Sequence, residues 1–131
     1  MTNTHDQSPR ITLSNGLVVA NFSSPHPFTF VDGSVLPACS PERARTLMLG
    51  TLEHEEPGLK GTTDIVLEWA MSVAVEAALS ELEADPEIDL IVVPLPVLTV
   101  LKDFDRPIGK ARVIRVADRV TKAIHIDRWC R

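Results

Sequence analysis

A chain of 131 residues is long enough to bury one hydrophobic core without disulfide or metal staples. Its composition, 44% hydrophobic and 24% charged, excludes wholesale disorder, and 5% aromatics without any Tyr argue against a base-stacking platform for single strands. The net charge of −5 is uneven: residues 1–101 hold four Lys and Arg against fourteen Asp and Glu, whereas residues 102–131 hold nine against four. That acidic majority opposes a broad duplex-DNA face, while the basic C-terminal segment suits a small anion or the neutralisation of acidic neighbours.

Residues 1–10 are polar, contain Pro9 and are expected to form a flexible tail before a single domain over 11–131. Two apolar runs, Ile11 to Leu13 and Leu17 to Phe22, flank Asn15-Gly16, a two-residue hairpin signal. SSPHP breaks the second run, because prolines on both sides of His26 fix dihedrals and remove donors. In FTFVDGSVLPAC, Asp32-Gly33 marks a second hairpin, with Phe30 expected opposite Val35 and Thr29 opposite Leu36. Ser40-Pro41-Glu42 reads as a helix start, with the helix running to Leu49 and Gly50 as its stop. Residues 51–61 read as an acidic loop or a short edge strand.

Thr63 to Glu83 reads as one long helix. Its polar residues, Asp64, Glu68, Ser72, Glu76, Ser80 and Glu83, fall into a narrow stripe, and nearly everything else is apolar. Such a rod needs cover on several sides, so a sheet on one side and a second copy of the chain on another are expected. Ala84-Asp85-Pro86 stops it. Ile88 to Val93 suits a buried strand, able to pair in parallel with an earlier one. Val97 to Leu101 is a further strand or a helical turn, and 102–110 a charged loop. The C-terminal pair, around Ile114, Val116, Ile124 and Ile126, alternates as half-buried strands do; a three-residue loop, Asp118 to Val120, would place Ile114 opposite Ile124. The aliphatic face would pack on the long helix, leaving Arg115, His125 and Asp127 on the other. The expected fold class is α+β, a mostly antiparallel sheet packed on one long apolar helix.

Arg112, Arg115, Arg119, Lys122 and Arg128 form a candidate cation cluster, since guanidinium forks pair bidentately with phosphate oxygens. His26, locked between prolines, and Phe28 could line the base end of a nucleotide. His125 and Asp127 could act as an acid–base pair, but side chains two apart on a strand sit further apart than a direct hydrogen bond. His26, Cys39, His125 and Cys130 lack the short spacings of structural zinc sites, and two isolated cysteines fit a reducing cytoplasm. No apolar run is long enough to span a membrane, and no signal-peptide pattern opens the chain.

The run NFSSPHPFTFVDGSVLPACS, followed near the end by RVIRVADRVTKAIHID, resembles small proteins carried by bacterial viruses. A strand leading into a PHP turn, a DG hairpin and LPA carry the likeness. Among such proteins the chain loosely resembles the anti-defence sponges that counter Thoeris, CBASS and related systems. The resemblance covers about half the chain and transfers no binding residue. It implies a compact oligomer that captures a cyclic nucleotide signal, such as a cyclic ADP-ribose isomer or a cyclic oligonucleotide, without cleaving it. The leading expectation is therefore a cytoplasmic homo-oligomer, joined through Thr63 to Glu83, that sequesters a small phosphorylated nucleotide. Arg112, Arg115, Arg119, Lys122 and Arg128 would hold its phosphates, with His26 and Phe28 at its base. No catalytic residue, cofactor or metal is assigned. The alternatives are a nucleotide-processing enzyme using His125 and Asp127, and a phage structural or interaction protein without a small ligand.

Overall fold

The computed structural model describes residues 8–131; most of the expected N-terminal tail lies outside them, and Arg10 already belongs to a strand. A five-stranded mixed sheet organises the molecule, in the order β1 (Arg10–Thr12), β2 (Val18–Asn21), β7 (Leu90–Val92), β8 (Ala111–Val116), β9 (Ile124–Cys130). The two outer pairings are antiparallel and the two inner ones parallel, so the expected antiparallel dominance does not hold. Parallel neighbours need long crossovers. One contains α2 (Val73–Ala84) and the other α3 (Leu95–Asp103). Between β2 and α2 come three smaller units: the hairpin β3 (Phe28–Thr29) and β4 (Val35–Leu36), the short helix α1 (Pro41–Thr46), and the hairpin β5 (Gly50–Pro57) and β6 (Thr63–Ala70).

The central strand β7 is apolar on both faces because both are covered, and so is β2 up to Ala20. Ala20, Phe22, Ile91, Val93 and Ala111 pack against Val75, Leu79 and Leu82 of α2 and Val97, Leu98 and Leu101 of α3. Val19, Val92 and Ile124 face the other way, onto Leu13, Phe30 and Leu36. Each Val, Leu, Ile and Phe among them contributes roughly 1.5–3 kcal/mol by leaving water. The sheet curls into a half-barrel because its far ends are tied together. Val31 N–H donates to the Ile124 carbonyl, and the Asn15 side chain donates to that of Ile126, both at 2.9 Å.

The long helix expected over Thr63 to Glu83 is overturned. Thr63–Ala70 is a strand, paired antiparallel with Gly50–Pro57 through all eight residues, and only Val73–Ala84 is helical. A polar residue every fourth position satisfies a period of two as well as one of 3.6, so Asp64 and Glu68 mark a strand face just as well as a helix stripe. Ile65, Val66 and Trp69 favour the strand, and β5, in a stretch read as an acidic loop or a short edge strand, supplies the partner. Ser72, in extended backbone, then accepts from Val75 N–H at 3.2 Å and starts the helix afresh. With the rod gone, the aliphatic face of β8 and β9 packs on the β3–β4 side.

Helix α1 is shorter than expected; it stops at Thr46, and Gly50 opens a strand instead of ending the helix. Both predicted hairpin registers shift as well. In β3–β4, Phe28 faces Leu36 and Thr29 faces Val35, because Val31-Asp32-Gly33 forms a three-residue loop with Gly33 at φ +85°. In β8–β9, Val116, not Ile114, faces Ile124. Asp118 accepts the N–H groups of Val120 and Thr121 and winds the loop into a wider turn, which keeps its carboxyl below the usual range. Ile114 faces Trp129, so β9 bulges between the two pairings.

The β3–β4 loop yields a pH prediction. Asp32 accepts the backbone N–H groups of Ser14 (2.9 Å) and Ser34 (2.8 Å), which lowers its pKa from 3.8 to about 2. A depressed folded value means stability that is present above the unfolded pKa and lost as pH falls through the folded one. Asp32→Asn should therefore be less stable than the parent at pH 7, with the two converging as pH drops from about 4 to 2. Urea titrations that separate the two equally at both ends would contradict it.

Candidate functional site

At the C-terminal ends of β2 and β7, where ligands of sheets with parallel strands tend to bind, lies a cleft of about 570 Å³. Three walls meet there. The first is the turn after β2, set by Asn21. This residue is fully buried; its Oδ1 accepts Ser24 N–H at 2.9 Å and its amide donates to the carbonyls of Ser24 (3.1 Å) and Pro37 (3.0 Å). Ser24 Oγ in turn accepts His26 N–H, so SSPHP is a rigid rim. The second wall is Pro94-Leu95-Pro96, where two prolines suit a strand-to-helix corner. The third comes from α1 and the residues after it, Ala44 to Leu49. Ser40 caps this helix, and Arg43 Nε anchors it by donating to the Phe22 carbonyl at 2.8 Å. Phe28, Val92, Val113 and Ile114 lie deeper, and Trp69 closes one side from the base of β6.

The cleft is almost wholly apolar. Arg45 is the one charged residue among its described lining, with Ser23 and Ser24 as further polar groups. Cys39, just behind the rim, is buried, and that burial raises its thiol pKa against the opposing pull of Arg43.

Of the site residues expected from the sequence, only Phe28 lines the cleft. His26 stands exposed on the outside of its rim. The five cations stay on β8, β9 and their loop. Arg112 is spent on the carbonyls of Gly109 and Ala111, both at 2.8 Å. Arg115 and Arg128 are exposed on the two strands, while Arg119 and Lys122 project from the loop, with Lys122 at φ +64°. His125 Nδ1 lies 3.8 Å from Asp127 Oδ1, beyond hydrogen-bond reach. Among the described residues no cluster of His, Cys, Asp and Glu could hold a metal ion, and no helix is long and apolar enough to cross a membrane. Asn21 and Arg45 escaped the sequence reading. The first had a usable signal, an Asn three residues before a Ser-Pro turn; the second had none.

No family model matches the chain, and no curated protein or solved structure matches it.

Proposed function

We propose that the chain is a non-catalytic binding protein that sequesters a small, flat, largely apolar ligand carrying one anionic group. The cleft carries this reading. Its volume lies in the range of small-molecule sites, its walls are apolar, and Phe28 and Trp69 offer rings to a planar ligand. Arg45 supplies one fork for a carboxylate, sulfonate or single phosphate.

Anilinonaphthalene sulfonate, an aromatic monoanion, is a suitable probe. It should bind at one saturable site. Leu95→Glu or Met48→Glu should abolish binding, and Arg45→Ala should weaken it about three- to fivefold, as an exposed ion pair warrants. Binding indifferent to both glutamate variants would remove the cleft from the function.

A second reading, an anti-defence sponge for a cyclic ADP-ribose isomer or a cyclic oligonucleotide, rests on a different observation. Arg115, Arg119, Lys122 and Arg128 make no side-chain hydrogen bond or ion pair among the described residues. It predicts heat on titration with those nucleotides, lost in Arg115→Glu/Arg128→Glu and untouched by Leu95→Glu.

A further inference from the structure

The β5–β6 hairpin leaves the domain as an arm. At about 3.4 Å per residue its paired strands reach about 27 Å, and nearly all of their residues are exposed. The register sorts its side chains into two faces. On one, Ile65, Leu67 and Trp69 stand in a row opposite Glu55, Glu53 and Thr51. These three apolar side chains are 51%, 63% and 48% exposed, and they run straight into the cleft that Trp69 helps to close. The other face meets the main domain at its base, where Leu52 and Ala70 share a groove with Val100 and Phe104 of the α3 end. An isolated two-stranded ribbon is marginally stable in water, and this one has both edges unpaired as well as an apolar row in solvent.

Its charge indicates what covers it. Glu53, Glu55, Glu56, Asp64 and Glu68 make the arm acidic, with Lys60 at the tip as its one Lys or Arg. The β8–β9 hairpin is the opposite. Arg115, Arg119, Lys122 and Arg128 are exposed, alongside Val116 and a Val120 that is 90% exposed. Within the described chain, no ion pair or side-chain hydrogen bond joins the arm's acids to these cations. One chain thus carries two surfaces, each with exposed aliphatic groups, of opposite charge and unsatisfied by each other. A two-fold axis satisfies both at once, because in such a pair patch i meets patch j and j meets i.

We infer that the chain forms a two-fold dimer in which the Ile65-Leu67-Trp69 face of each arm lies on the cationic β8–β9 hairpin of the other copy. Aliphatic contact supplies affinity at the centre, and the surrounding charges set orientation and make association sensitive to salt. This interface does not depend on any ligand in the cleft.

The test uses the full chain, in sedimentation velocity at micromolar concentration and low salt. The parent should sediment as a dimer that weakens as salt rises. Leu67→Glu, at a position with no core role, should raise the dissociation constant at least 100-fold while leaving the far-ultraviolet circular dichroism unchanged. Glu53→Arg/Glu55→Arg should be monomeric alone, and so should Arg115→Glu/Arg128→Glu. Mixed, these two should recover the dimer, since each positive arm then meets a negative hairpin and each negative arm a positive one. A monomeric parent would overturn the inference and give the arm to another occupant. A dimer indifferent to these variants, or no recovery on mixing, would overturn it equally.

Discussion

Asn21→Leu is expected to lower the unfolding free energy by about 2–4 kcal/mol, a large share of a small domain's stability. Leu repeats the branched four-heavy-atom skeleton of Asn and is the more apolar residue, so the transfer term alone predicts little loss. Hydrogen bonding predicts the opposite. Asn21 is fully buried, and its amide is committed to Ser24 N–H, the Ser24 carbonyl and the Pro37 carbonyl. Cys39 N–H still serves the Ser24 carbonyl after the change, but Ser24 N–H and the Pro37 carbonyl lose this partner. Each such loss at a buried site costs about 1–3 kcal/mol. Asn21→Asp separates polarity from geometry. A carboxylate can accept from Ser24 N–H, yet it turns negative charge toward two carbonyl oxygens. Its folded pKa should therefore be raised, and its penalty should shrink as pH falls toward the unfolded carboxyl value near 4. Urea unfolding at pH 7 and pH 4 reads both effects. A loss below 1 kcal/mol for Asn21→Leu would show that the turn is held by its prolines alone.

That residue also shows which parts of the fold were legible from sequence and which were not. Strongly patterned local signals translated well in kind: Asn15-Gly16 made a hairpin, though with a three-residue loop in place of two, Ser40-Pro41 a capped helix start, and the run Ile88 to Val93 a buried strand, Leu90–Val92, parallel to an earlier one. The largest failure, the long helix, comes from a local pattern compatible with two periods. TDIVLEWA followed by SVAVEAALSELE keeps one polar spacing through a change from strand to helix. Only the pairing with Gly50–Pro57, whose four glutamate and histidine positions look loop-like, resolves it. Hairpin registers slipped for a different reason. Asp32 accepts the N–H of Ser34 just past its turn and Asp118 those of Val120 and Thr121 inside its loop, and those bonds, not the Asp-Gly or loop spacing, set where pairing begins.

The site was less legible than the fold, because charge is visible in sequence and concavity is not. Arg112, Arg115, Arg119, Lys122 and Arg128 stand out in a list of residues, whereas the cleft is built from Pro94, Leu95, Met48 and Phe28, brought together from three separate stretches. Cations on the β8–β9 edge of the sheet point where strand parity and the β9 bulge send them. In this chain that is outward, to a surface suited to an extended acidic arm as much as to a small anion.

Phe30→Ala is expected to cost about 3–5 kcal/mol, the range for emptying a buried aromatic site. Phe30 is 1% exposed and packs with Leu13, Val19, Leu36, Val92 and Ile124, its ring 5.9 Å from that of Trp129 and tilted by 48°. It also holds the curl of the sheet. Phe30 and Ile124 form a backbone bridge, and the next residue donates to the Ile124 carbonyl, so the β3–β4 hairpin is pinned to β9 at the position where this ring fills the core. Truncation should therefore do more than leave a void. Trp129 should shift its emission to the red as water reaches the ring, and the Val31 and Ala117 amides should exchange faster, while amides of α3 on the opposite face keep their protection. Trp69→Phe as the background leaves Trp129 as the only tryptophan reporting. Phe30→Leu, which keeps most of the volume, should lose less than about 1.5 kcal/mol and keep the blue emission. Equal losses for Ala and Leu would mean that the aromatic pair, not the filled volume, closes the sheet. Uniform loss of protection on both faces would mean that the two halves of the core unfold as one.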